Sequence, residues 1–326
     1  MRKFTASLFF EPPSAALRFL PECPRRLINF PGGEPLLGWV AIQHSAADET
    51  GSFNILNLRT MENTVYPLPG RPGFFCETVE PGVLLIGLER RLVLYNALTG
   101  QVFDPGWIAT ADERCIVNDG LPVPGGVIFG TKHLAFSEHI AEIYYFEAAH
   151  HRIHRLAGGQ VCSNGKHLYQ QDGAAYLADI CSMSKVVSRY RADLAAGSLV
   201  YDGVIADFTA GGVFPDGMKP VPDGSALVVA FYDPRPSDRG YARQYNLITG
   251  EPEAEWELPG SPRVTCPEII ELDGEIRILF TTAVEGMPDP IQRLAPHAGS
   301  MFIAPTPWTS LPPPPPLVAA DTLIPI

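Results

Sequence analysis

Glu22, Asn118, Asn164 and Asp216 stand in short polar strings within an otherwise apolar, strand-like chain: Leu20-Pro21-Glu22, Asn118-Asp119-Gly120, Ser163-Asn164-Gly165 and Phe214-Pro215-Asp216-Gly217-Met218. Each string reads as a loop. A Glu, an Asn and an Asp are hard oxygen donors, the kind that gather around one divalent cation. Two carboxylates neutralise a dication, and an amide oxygen adds a ligand without adding charge. Residues so far apart in the sequence can meet only if the architecture closes on itself.

The chain carries the signature of such an architecture. Six segments alternate apolar and polar residues, often before a Gly turn: Ser52 to Leu58, Leu92 to Leu98, Ile143 to Phe146, Val186 to Tyr190, Ala242 to Leu247 and Met301 to Ile303. They recur at roughly 40 to 55 residues, the length of one four-stranded propeller blade. The strings Tyr95-Asn96-Ala97-Leu98-Thr99-Gly100 and Tyr245-Asn246-Leu247-Ile248-Thr249-Gly250 are nearly the same hairpin. They lie about 150 residues apart, the span of three such blades. The fold class expected is therefore all-β: a six-bladed β-propeller of four-stranded antiparallel blades.

Composition agrees. The chain has 326 residues, 46% hydrophobic and 18% charged, with 33 Pro and 30 Gly, which argues for a large core and against long helices. We divide it into an N-terminal lead-in that closes the propeller (1–19), the propeller (20–306) and a Pro-rich tail (307–326). The net charge of −12, without a Lys/Arg cluster, excludes a surface for nucleic acid or an anionic membrane. The six Cys form no Cys-x-x-Cys pair and read as free thiols of a cytoplasmic protein. The stretch Phe4 to Phe10 is too short for a signal-peptide core, and no run is long enough to span a membrane. Pro312 to Pro316 is expected to form a polyproline II segment lying on the propeller.

The four strings, in this order and at this spacing, resemble the senescence marker protein-30/gluconolactonase/luciferin-regenerating-enzyme-like family of six-bladed propellers. Glu22 before Cys23-Pro24 is similar to the family's opening Glu-Gly-Pro. Asn118-Asp119-Gly120 with Gly130-Thr131, then Ser163-Asn164-Gly165 and Pro215-Asp216-Gly217-Met218, resemble its later segments. The resemblance covers about Leu20 to Ile303. It implies a metal site at the mouth of the central channel, a divalent metal held by Glu22, Asn164 and Asp216 with waters, calcium first; three oxygen ligands suit magnesium and manganese equally and admit zinc. It also implies that Asn118, with Asp119 beside it, contacts substrate.

Two departures bear on substrate. Sugar-lactone members carry an Arg two residues before that Asn, where this chain has Ile116; Arg114, four residues before, is an imperfect substitute. After Gly130-Thr131, where such members carry an acid, this chain has Lys132-His133. A cation and an imidazole there favour a substrate with a carboxylate or phosphate, or with fewer hydroxyls. His44 follows the Trp39-Val40-Ala41-Ile42 strand, at an offset that places it near the channel as a substrate contact or proton shuttle. His151 and His154 belong to one strand and point apart, as an exposed hairpin would have them.

No Gly-x-Ser-x-Gly, His-Glu-x-x-His, P-loop or dinucleotide fingerprint is present, so no organic cofactor is expected. The activity expected is a metal-dependent hydrolase, first a gluconolactonase-like lactonase acting on a small-molecule substrate with Asp216 as base. Another metal-dependent ester or organophosphate hydrolase ranks second, and a non-catalytic binding propeller third. Nothing in the sequence fixes the oligomeric state.

Overall fold

A computed structural model describes residues 1–33 and 35–319. The chain is a six-bladed β-propeller. The first blade runs outward through Pro21–Arg26, Leu36–Ala41, Gly51–Asn57 and Asn63–Leu68. The innermost strands of the next five are Pro72–Glu77, Cys115–Val123, Ser163–Gln171, Phe214–Pro220 and Val264–Leu272. The sixth blade takes its outermost strand from the N-terminus: Ser7–Phe10 runs antiparallel to Met301–Pro305, with Ser7 opposite Ile303 and Leu8 opposite Phe302. Arg2–Thr5 adds a fifth, parallel strand to the outside of the fifth blade, where Phe4 stacks on Trp256 at 5.4 Å.

The six alternating segments of the sequence all fall on third strands: Gly51–Asn57, Arg91–Asn96, Ala141–Glu147, Val186–Asp193, Arg239–Asn246 and Met301–Pro305. Second strands look different. Val83–Leu88 and Gly126–His133 are buried along their whole length, because neighbouring blades cover both faces. Such strands read as continuous apolar runs rather than alternation. The twin hairpins join third to fourth strands in the second and fifth blades. In each, an Asn side chain accepts two turn amides: Asn96 Oδ1 from Leu98 and Thr99, Asn246 Oδ1 from Ile248 and Thr249. Gly100 and Gly250 close these turns at φ 74° and 70°, where a side chain would be strained.

The polar strings are not loops, and here the structure corrects the sequence reading. Each lies on an innermost strand, at a break in register against the second strand. Val117 pairs with Thr131 and Gly120 with Phe129, so Asn118 and Asp119 bulge out together. Ser163 to Lys166 and Pro215 to Met218 skip residues in the same way, and the break in the first blade follows Glu22. A bulge re-aims side chains without ending the strand. The glycines of these strings answer to crowding rather than to turn geometry. A Cβ on Gly165 would lie 2.3 Å from the backbone nitrogen of Met218, and one on Gly217 would lie 2.3 Å from Cys266 Sγ. Innermost strands converge on the channel axis, and only Gly lets them come that close.

The Pro-rich segment crosses one end of the channel. Arg26 Nη2 donates to the Pro312 carbonyl at 3.1 Å. Beyond it the buried Val318 pairs in parallel with Thr78, its amide donating to the Glu77 carbonyl and its own carbonyl accepting from Val79. Residues 320–326 of the tail lie outside the described residues. Among the described residues, no helix is long and apolar enough to cross a membrane.

Candidate functional site

The bulges bring residues of four blades to one cavity of about 260 Å³ at the N-terminal ends of the innermost strands. Glu22, Asn118, Asn164 and Asp216 line it, and all four are buried. Asn164 Nδ2 donates to Asp216 Oδ1 and to Ser182 Oγ. The Cys266 thiol donates to Glu22 Oε2 at 2.9 Å. Three oxygens, Glu22 Oε1, Asn164 Oδ1 and Asp216 Oδ2, are left without a hydrogen bond among the described residues.

Two buried carboxylates in one cavity repel, and both hold their protons abnormally tightly. Glu22 is pushed up to about 8, chiefly by burial, with Asp119 and Glu285 adding to the rise and Cys266 and Lys132 opposing it. Asp216 is raised well above the ordinary carboxylate range by burial and then by the charge of Glu22. A buried acid pair without a full counter-charge is neutralised either by protons or by a bound cation. Among the described residues no three His, Cys, Asp or Glu side chains gather as a metal-ligand group, so a third donor for a cation here would be an amide, and Asn164 lines the same cavity. The residues present fit a hard divalent cation.

The other residues singled out from the sequence divide. Lys132, nearly buried, lines the cavity, and its charge acts on both Glu22 and Asp216. Asn118 turns its amide nitrogen to the Ser163 carbonyl at 3.0 Å. Asp119 does not join its neighbour. Consecutive residues of the bulge face opposite ends of the channel, and Asp119 lines a second cavity, acting on Glu22 and Asp216 only through its charge.

Arg114, His133 and His44 do not line the carboxylate cavity. Arg114 lies on the surface, forked onto Asp112 at 3.0 and 2.8 Å and reaching Glu138 at 2.8 Å. It lies in the turn before the strand, where no alternation sets its direction, and two neighbouring carboxylates hold the guanidinium outside. His133 Nδ1 accepts the Glu138 amide at 2.9 Å, capping the turn after its strand. His44 Nε2 lies 3.1 Å from Ser52 Oγ. His150 and His154 share Glu147, while His151 stacks on Trp107.

Several cavity residues went unread in the sequence. Tyr232 closes one side, its hydroxyl donating to the Glu285 carbonyl at 2.8 Å and its ring under the Arg263 guanidinium. Leu20, Phe136, Met183, Phe214 and Pro215 form the apolar wall. They come from loops and strand ends, where no periodicity distinguishes a lining residue from any other.

The second cavity, about 430 Å³, lies at the C-terminal ends of the same strands, bounded by Pro312 to Pro316. His167 lines it, pushed down to about 4 by burial and then by Lys219. A histidine kept neutral in the fold binds fewer protons than in the unfolded chain, so its contribution is lost as pH falls from 6.5 toward 4. Its partial exposure limits the effect to roughly 1–2 kcal/mol. Urea unfolding of wild type and His167→Phe at pH 7 and 4.5 should show the variant losing that much less stability; equal losses would refute the assignment.

The sequence of residues 34–283 matches the model of the SMP-30/gluconolactonase/LRE-like region. No curated protein matches the chain. Among solved structures it is similar to a calcium-binding regucalcin of Agrobacterium tumefaciens at 20% identity and a TM-score of 0.78, covering 98% of this chain and 99% of that one. A luciferin-regenerating enzyme follows at 17% identity and a TM-score of 0.72, with 91% and 95% covered. A gluconolactonase of Xanthomonas campestris superposes over 91% of this chain and 99% of its own, at 14% identity and a TM-score of 0.54. At these identities the structures speak for the fold, and the family rests on the sequence match. The chain is a member of the SMP-30/gluconolactonase/LRE-like family.

Proposed function

We propose that this protein is a divalent-metal-dependent hydrolase that opens a small lactone. The observation that supports this most is the trio of unengaged oxygens, Glu22 Oε1, Asn164 Oδ1 and Asp216 Oδ2, set by three blades around one cavity. These residues would hold the cation, calcium first among hard cations that prefer oxygen. When bound, the cation supplies Lewis-acid polarisation of the substrate carbonyl and acidifies water.

The side chains do the remainder. Asn164 fixes Asp216 through Oδ1, so Oδ2 would meet the cation with one lone pair and keep the other to take a proton from the attacking water. Cys266 holds Glu22 from the neighbouring blade, so the spacing of the two carboxylates is set by the closed ring. Leu20, Phe136, Met183 and Phe214 exclude bulk water, which strengthens each charge inside. All six cysteines are buried free thiols, which suits the reducing cytoplasm.

The test is proton release at constant pH from a lactone panel, with chelated protein and protein resupplied with calcium, manganese or zinc. Chelated protein should be inactive and one of the metals should restore acid production. Tight cation binding without turnover of any lactone would reject the substrate class, and absence of cation binding would reject the site.

A further inference from the structure

Given the lactonase reading, on which this rests, the polar groups around the carboxylate cavity say what else the substrate must carry. Sugar lactones need many donors and acceptors to hold their hydroxyls. Here most are already engaged within the protein: Asn118 Nδ2 on the Ser163 carbonyl, Asn164 Nδ2 on Ser182 Oγ and Asp216, and Tyr232 Oη on the Glu285 carbonyl. Lys132 is the one cation of the lining, and among the described residues it is left unengaged, as are the acceptor oxygens Glu22 Oε1, Asn164 Oδ1 and Asp216 Oδ2 and the Glu285 carboxylate. Lys132 is 8% exposed, it lines the cavity, and its ammonium has neither a hydrogen bond nor an ion pair among the described residues. The rest of the wall is Leu20, Phe136, Met183, Phe214 and Pro215.

We infer that Lys132 is the specificity-determining residue of this site, and that the substrate is a small lactone with one anionic group and an apolar flank rather than a polyhydroxylated sugar lactone. A buried ammonium loses its hydration and regains it only from an acceptor brought in by the ligand. Glu22 and Asp216 would be neutralised by the cation, and no contact within ion-pair range ties Lys132 to Glu285, so its charge remains for the substrate. The apolar wall rewards a ring without hydroxyls, since each buried hydroxyl left unpaired is penalised. At about 260 Å³ the cavity suits a ring with one substituent.

The probes are a γ-lactone bearing a carboxylate (5-oxotetrahydrofuran-2-carboxylate), uncharged δ-valerolactone and glucono-δ-lactone, assayed with metal-loaded protein. The carboxylated lactone should exceed glucono-δ-lactone in kcat/KM by about tenfold or more. Lys132→Met should collapse the ratio of carboxylated to uncharged lactone by about a hundredfold, mainly through KM, as expected for loss of a charge-assisted contact. Lys132→Arg, which keeps the charge, should retain most of the discrimination.

Preference for glucono-δ-lactone, or an equal loss on all three probes in Lys132→Met, would overturn the inference. A separate readout covers failure of the lactonase reading itself. Calorimetric binding of 2-hydroxyglutarate, the open form of the carboxylated lactone, should weaken by about tenfold or more in Lys132→Met relative to wild type with the same metal loaded. Unchanged binding would reject the role of Lys132 whether or not any lactone is hydrolysed.

Discussion

Asp216→Asn should lower kcat by about a thousandfold or more while leaving KM within a few fold. The substitution is nearly isosteric, and its single oxygen keeps the bond from Asn164 while an NH2 takes the place of Oδ2, so the substrate contacts made by Lys132 and the apolar wall survive. It removes the atom that accepts the proton, and one of two negative charges that draw in a dication. Two mechanisms of loss separate by measurement. If metal affinity falls as well, excess metal should restore little turnover, because an amide does not take the proton. If turnover stays within tenfold of wild type with metal bound, Asp216 is not the base, and the water must be deprotonated elsewhere.

Deleting residues 2–10 should destabilise the protein by about 4 kcal/mol, lowering Tm by roughly 5–10 °C, and should weaken metal binding although no ligand is touched. The deletion removes the outermost strand of the sixth blade and the fifth strand of the blade before it. With it go the buried Ala6, the Phe4 ring stacked on Trp256, and Phe9 and Phe10 packed against the apolar cluster that contains Trp39 and Met301. It also bares the edges of Met301–Pro305 and Pro252–Pro259, which favours aggregation.

The link to the site runs through the seam between the last and first blades. There Thr265 Oγ1 donates to the Pro21 carbonyl at 2.7 Å and Cys266 to Glu22. Loosening the sixth blade therefore shifts Glu22 relative to Asp216. A calorimetric metal affinity unchanged in the truncated protein, with Tm within about 2 °C, would mean that the ring closes adequately without the N-terminal strands.

The ring architecture was legible because the segments recur at blade spacing, and the third strands of the fourth and fifth blades mix buried with part-exposed positions. They sit between a buried second strand and a more exposed fourth, and the segments Val186 to Tyr190 and Ala242 to Leu247 fall on them. Second strands such as Val83–Leu88 gave no period, being covered on both faces. The metal-ligand candidates were legible as residue types in the family's order, yet their setting was misread, since an Asn-Gly or Asp-Gly string reads as a turn. The close approach of Gly165 to Met218 and of Gly217 to Cys266 exists only between blades, and no local pattern encodes it.

The same limit explains Arg114, Asp119 and Lys132. Sequence spacing fixes which face of a strand a side chain leaves from, so Arg114 could be argued onto a shared face with Ile116. Which partner captures it depends on Asp112 and Glu138 beside it, and they hold it on the surface. Asp119 follows Asn118 in the chain but lines the cavity at the other end of the channel, because successive side chains of extended backbone point to opposite sides. The sequence by itself determined the blades, their number and the oxygen donors, since these rest on local periodicity and residue chemistry. Only the tertiary structure decided which donors share a cavity, which polar groups are already engaged and that the Lys132 ammonium has no partner among the described residues, because hydrogen-bond partners come from neighbouring blades that only ring closure brings together.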